Sequence, residues 1–308
     1  MKVAIISNNI PPVIDGVGDF TDLFSLELSK RNTEVFIICK RGINPQLTNS
    51  NINVFPVVDQ WNKNGFYEAL HVLKTQQPNF ILFQFVPYSF NRWGIPMGLI
   101  GIINSIHGMA RIGFVFHETY IRKSIWPLQT NLVSFLQRYV LHKVAKKIEI
   151  SITSIDRYLI QLKKLGFTAL HLVPIPANIE TVEINEEHKL QLKKKTAPQQ
   201  EKIIVALGNR NYDLLIQTFQ NINQNRKDLK LVILGNQNYE IKKKPDNVIV
   251  TGVLSRIEII EYLSISDLYI SFDPVKNGKG GTSNKSGSLA IALAMGLPVV
   301  GFKGDMNN

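Results

Sequence analysis

The feature that most restricts this chain is an alternation: short runs rich in β-branched and aromatic residues, separated by longer stretches in which apolar residues recur at helical spacing. The runs fall at residues 2–7, 33–39, 53–57, 80–85, 112–116 and 148–152. Val3-Ala4-Ile5-Ile6 and Val35-Phe36-Ile37-Ile38 are continuously apolar, the pattern of strands covered on both faces. Strands of that kind joined through helices lie parallel, because a long crossover returns the chain to the same edge of the sheet. Between the first two runs, Phe20, Leu23, Phe24, Leu26 and Leu28 precede Lys30 and Arg31. This is an apolar helix with cations at its carboxyl end, where the helix dipole favours them, and it completes a βαβ unit.

The pattern restarts at 203–207, 230–234, 247–250, 268–271 and 298–301. Two α/β domains are therefore expected, 1–182 and 201–308, and a length of 308 residues suits two hydrophobic cores. The join, 183–200, contains Lys193-Lys194-Lys195 and Pro198-Gln199-Gln200 and reads as a charged linker or an exposed helix. Only Phe302 to Asn308 follow the final run. Doubly wound domains generally continue with further helix and strand, so the second domain is expected to lack its last elements.

A composition of 44% hydrophobic and 19% charged residues places the chain among globular proteins. The net charge of +11 attracts phosphates on nucleotides, nucleic acids or anionic lipids without choosing among them. Lysines interleaved with aromatic platforms are lacking, as is any recognisable nucleic-acid module, so no nucleic-acid partner is expected. Cys39 is the only cysteine and ends an apolar run, which suggests a small buried hydrophobe and fits a reducing cytoplasm. The amino terminus turns to strand pattern too soon for a secretory signal. The apolar neighbourhood 93–109 is broken by Asn104, Ser105 and His107 and reads as buried helix, not as a membrane span.

Within 132–148, Leu132, Phe135, Leu136, Tyr139, Val140, Val144 and Ile148 recur at helical spacing, with Arg138, Lys143, Lys146 and Lys147 among them. Such a helix either packs on the core with a solvated cationic edge or lies against anionic headgroups, giving peripheral membrane contact.

Three stretches carry chemistry. Gly16 and Gly18 precede a helix, where free N–H groups and the positive end of the dipole can hold an anion; without a ligand they simply form a turn. A dinucleotide fingerprint is excluded because Pro11-Pro12 separates strand from glycines and Thr21 takes the place of the third small residue. Ser286-Gly287-Ser288, with Lys285 beside them, precede an apolar helix over 289–295 and read as a diphosphate cradle or as an ordinary serine cap. His117 and Glu118 follow Phe114-Val115-Phe116 at a strand end, where ligands of open α/β sheets gather. The same histidine can equally serve structure by bonding backbone, and Glu118 can act as a carboxylate toward an acceptor or cap a turn.

Taken together, Pro11-Pro12 through Gly16-Val17-Gly18-Asp19-Phe20-Thr21, His117-Glu118, Val173-Pro174-Ile175-Pro176, Tyr212-Asp213-Leu214-Leu215 and above all Gly280-Gly281-Thr282-Ser283-Asn284-Lys285-Ser286-Gly287-Ser288-Leu289 followed by Ala294-Met295-Gly296-Leu297-Pro298 resemble bacterial family 4-like glycosyltransferases. The resemblance spans nearly the whole chain. It implies a GT-B fold, with two Rossmann-like domains facing across a cleft, the second holding a nucleotide sugar and the first a glycan or lipid-linked acceptor. It also implies transfer with retention of configuration and no bound metal or cofactor, the nucleotide sugar being substrate. By the same resemblance Arg210, Lys285 and Ser286 to Ser288 hold the donor phosphates with Gly16 and Gly18, while Asn209, Val253, Leu254, Thr282 and Ser283 border nucleotide or sugar. Some positions depart from the family pattern: Asp15 replaces a glycine, Asn209 an arginine, and Ser283 and Ile291 stand where many members carry glutamates. Those departures leave open a non-catalytic nucleotide-sugar or glycan-binding relative.

Overall fold

The computed structural model describes residues 1–122, 128–208, 210–235, 245–275 and 280–304. In chain order the elements of the first half are β1 (Lys2–Ile6), α1 (Gly16–Lys30), β2 (Glu34–Lys40), β3 (Asn53–Val58), α2 (Lys63–Gln76), β4 (Phe80–Phe85), α3 (Pro87–Phe90), α4 (Gly98–Ile106), β5 (Arg111–Phe116), α5 (Gln129–Ala145), β6 (Ile150–Thr153), α6 (Asp156–Lys164) and β7 (Leu170–Leu172). The second half contains α7 (Glu186–Thr196), β8 (Lys202–Leu207), α8 (Asp213–Asn225), β9 (Leu229–Leu234), β10 (Val248–Val250), α9 (Arg256–Ser264), β11 (Leu268–Ser271), α10 (Gly287–Ala294) and β12 (Val299–Gly301).

The first seven strands form one parallel sheet in the order β3-β2-β1-β4-β5-β6-β7, and the last five another in the order β10-β9-β8-β11-β12. The chain divides into compact units Met1–Pro174 and Ile175–Asn308. The stretch 183–200 contains α7 and lies in the second unit, where His188 Nε2 of α7 meets Glu261 Oε1 of α9 at 3.1 Å. The sequence pattern had missed β7, a three-residue edge strand with one half-buried and two exposed residues and so little hydrophobic contrast.

Each strand's alternation sends its residues into different cores. Ala4 and Ile6 of β1 join Phe83, Phe85, Phe114 and Phe116 under α2, α4 and α5. Val3 and Ile5 join Val35, Ile37 and Cys39 on the opposite face, with Phe24 and Leu28 of α1 packed against them. Burial there pushes the Cys39 thiol up to about 12, so it serves as a small hydrophobe. In the second unit Val205, Val232, Ile260 and Ile291 share one core, while Ala206, Leu231, Ile233 and Phe219 share another.

Candidate functional site

The order of the second sheet marks its candidate ligand edge. From central β8 the chain winds out through β9 to β10, then returns to the other side of β8 to form β11 and β12. The winding reverses between β8 and β11, and in open parallel sheets the crevice beyond the carboxyl ends of such a strand pair receives ligands. Arg210 follows β8 and Asp273 follows β11, and Arg210 Nη1 lies 2.6 Å from Asp273 Oδ1 and donates to Phe272 O at 3.0 Å. Both side chains remain about three-tenths exposed, so the pair stays reachable from water. Gly208, at φ +125°, turns the chain sharply out of β8, a conformation glycine adopts without strain. Tyr212 Oη donates to Gly208 O at 3.2 Å and pins that turn.

The amino terminus of α10 reaches the same place. Ser286 caps it, accepting from Leu289 N at 3.3 Å, and lies 3.0 Å from Ser288 Oγ. Gly287 opens the helix against Asn178, where an added Cβ would come within 2.9 Å of the amide. Ser288 hydrogen-bonds the hydroxyl of buried Tyr269 on β11, and Tyr269 in turn feels the charges of Arg210 and Asp273. Burial raises the Tyr269 hydroxyl above its ordinary range, so it stays protonated as a hydrogen-bonding group. The structure thus gathers Arg210 and the serine cap at one strand edge. Asp273, Phe272 and Tyr269 belong to the cluster and escaped sequence reasoning; the position of Asp273 just after a strand was the signal that could have found it.

Other expected residues sit differently. Ser283 is buried and builds the turn before α10, accepting from Lys285 N through Oγ at 3.3 Å and from Ser286 N through its carbonyl at 3.0 Å. Thr282 N donates to Phe302 O at 2.9 Å, and its side chain lies against Gly301, where a Cβ would overlap the hydroxyl. Val253 is exposed and Leu254 packs on the core at the end of β10, which β9 separates from β8. Asn209 lies outside the described residues.

The first unit has its own reversal, between β1 and β4. Asp15 caps α1 by accepting from Val17 N at 3.3 Å, so a carboxylate of the chain already occupies that helix terminus beside Gly16. His117 follows β5, and its Nε2 lies 2.8 Å from Gln84 Oε1, within hydrogen-bond distance. Phe20 packs edge-on against the imidazole with centroids 5.0 Å apart, which brings the first turns of α1 and His117 together. Glu118 N donates to Phe85 O at 3.4 Å, continuing the β4–β5 pairing. Among the described residues no three His, Cys, Asp or Glu side chains gather closely enough to hold a metal ion. Nor, among them, is any helix long and apolar enough to cross a membrane.

Two parallel doubly wound sheets are the α/β architecture of GT-B folds, and comparison with known proteins agrees at the level of fold. Residues 201–307 match the family model described as "Glycosyl transferases group 1", so it is the second unit that carries the family's pattern. The solved structures that the fold resembles include Anabaena Alr3699/HepE in complex with UDP-glucose, at 12% identity and TM-score 0.61, covering 97% of this chain and 79% of that one. WaaG, a glycosyltransferase involved in lipopolysaccharide biosynthesis, aligns at 14% identity and TM-score 0.60 over 96% of this chain and 80% of its own. A Listeria monocytogenes protein described as a UDP-N-acetylglucosamine 2-epimerase aligns at 13% identity and TM-score 0.57, over 97% and 78%. A sequence comparison with curated proteins finds no match.

Proposed function

We propose that this chain is a retaining glycosyltransferase that moves a sugar from a nucleotide-sugar donor to a glycan or lipid-linked acceptor. The observation that carries this reading is the convergence of Arg210 and the amino terminus of α10 on the strand reversal of the second unit. There a guanidinium can take two diphosphate oxygens at once, while the N–H groups of the first helical turn and Lys285 add positive potential. Negative charge grows on the diphosphate as the glycosidic bond breaks, so fixed donors aimed at it lower the barrier with no metal required. Asp273 pairs with Arg210, and in this reading the diphosphate takes its place on the guanidinium.

The proposal places His117 as a catalytic residue at the donor sugar or reacting centre, with Glu118 as a carboxylate on the acceptor side. Gln84 Oε1, 2.8 Å from Nε2, orients the imidazole at the end of β5. HepE is solved with UDP-glucose, which makes UDP-sugars the first donors to test. Peripheral contact of a cytoplasmic enzyme with the membrane belongs to the same proposal, supported by exposed Leu132, Phe135 and Tyr139 along α5 and by Lys143 Nζ lying 5.3 Å from the Tyr139 ring centre.

Calorimetry with UDP tests the donor site. Arg210→Ala and Lys285→Ala are each expected to weaken binding by about 10- to 100-fold, the value of a charge-assisted contact; unchanged affinity in both removes these residues from the site. Because the same fold serves an epimerase, turnover is followed as sugar attached to an acceptor. Donor binding without attachment would favour the non-catalytic relative, and release of an epimerised sugar would favour the other enzyme.

A further inference from the structure

A second basic site lies in the first unit, beyond His117 and Glu118 along the chain that follows β5. Tyr120 and Arg122 beyond β5, Arg138 of α5, and Arg157, Gln161 and Lys164 of α6 line a cavity of about 310 Å³. Four cations thus face one small volume, and among the described residues no aspartate or glutamate lines it. Cations gathered around one volume raise the local positive potential, which attracts an anion.

The walls are built and held. Ser134 of α5 donates to Ile121 O at 2.7 Å, and Gln137 Oε1 accepts from Ile121 N at 2.8 Å, which fixes the post-β5 loop on α5. Thr119 donates to Gln161, which fixes the same loop on α6. Arg138 stacks on Tyr120 with its guanidinium carbon 5.6 Å from the ring centre, a contact that orients the fork before any ligand arrives. The Nε of Arg138 is buried and has no hydrogen-bond partner among the described residues. A donor removed from water in that way is costly to leave without an acceptor, so it favours an anionic ligand independently of the charge count.

We infer that this cavity between α5 and α6 binds the phosphate group of a ligand. Guanidiniums suit it because each presents two parallel donors to phosphate oxygens, and Lys164 at the end of α6 adds a fourth charge. A phosphate can come from a soluble phosphorylated molecule or from a lipid headgroup. The inference stands apart from the transferase reading, since it needs no activity and uses none of the donor-site residues.

Inorganic pyrophosphate, titrated calorimetrically into the full chain, is the probe for the soluble source; vesicles of phosphatidylcholine with and without phosphatidylglycerol probe the headgroup. The paired variant Arg138→Gln/Lys164→Gln is compared with Lys163→Gln, a neighbouring exposed lysine outside the cavity, and with Arg210→Ala, which separates any pyrophosphate held by the second unit. Lys164→Gln alone, at an exposed position, serves if the paired variant melts early. We expect one class of pyrophosphate sites to survive Arg210→Ala, to weaken roughly tenfold or more in the cavity variants, and to be unmoved by Lys163→Gln. Selective loss of binding to phosphatidylglycerol vesicles in the cavity variants would assign the headgroup as source, whereas loss of pyrophosphate alone would assign a soluble one. If the cavity variants match Lys163→Gln in both assays, the inference is overturned.

Discussion

Arg210 and Asp273 show how a single pair shapes the site before a ligand is present. The guanidinium is held by a carboxylate and a carbonyl at the end of the neighbouring strand, so it is oriented but already engaged. A diphosphate has to displace a negative group that also repels it. Asp273→Asn keeps the side-chain shape and removes that charge, and it is expected to tighten UDP binding several-fold, measured by calorimetry at low salt where the charge is least screened; weaker binding would make Asp273 a positioning group for Arg210 instead. Ile291 illustrates the opposite limit. The resemblance matches it to a ribose-side glutamate, yet it is fully buried in the core of the second unit beside Val205 and Val232. A carboxylate there would be stripped of water, so the apolar residue fits the place the structure gives it.

At the scale of elements, the two glycines of α1 separate cleanly. An added Cβ at Gly16 meets nothing within 4 Å, whereas at Gly18 it meets Asn9 O and Ile10 Cα, each at 3.2 Å. Gly16→Ala is therefore expected to be neutral or to stabilise by up to about 1 kcal/mol through the unfolded chain. Gly18→Ala should destabilise by about 1–2 kcal/mol because backbone at the close contact must give way. Urea unfolding of the two variants measures the difference, and equal effects would contradict the packing. The contrast means that Gly18 holds the loop after β1 against the helix, while Gly16 serves as the first helical residue next to an aspartate cap. At α10 the serine cap, the glycine packed on Asn178 and the Ser288–Tyr269 bond act together, so this helix terminus is tied to the strand that carries Asp273.

At the scale of the whole molecule, the chain holds two compact units, each with helices on both faces of its own parallel sheet. Separate cores permit separate unfolding, so a single two-state transition is not required. In the donor reading UDP binds the second unit, and at about 100 times its Kd it adds about 2.7 kcal/mol to the stability of that unit. Differential scanning calorimetry with UDP should then raise the transition of the second unit, identified by its response to Ser286→Ala, and leave the other in place. A shift in the first unit alone would count against the donor site.

Strand runs, helix faces and the order of domains were legible in the sequence because they depend on local periodicity: covered parallel strands are continuously apolar, and apolar residues at helical spacing mark the crossover helices. Val3 to Ile6, Val35 to Ile38 and Phe80 to Phe85 announced their strands, and Ser286 announced a helix cap. The division between units at Pro174 and Ile175, the packing of α7 with α9 and the short edge strand β7 depend on tertiary contact and left no periodic trace. Sheet order was decided in the same way, and with it the meeting of Arg210, Asp273, Tyr269 and Ser288, which are up to 78 residues apart. Strand pairing brings them together, and no spacing along the chain encodes which strand ends will be neighbours.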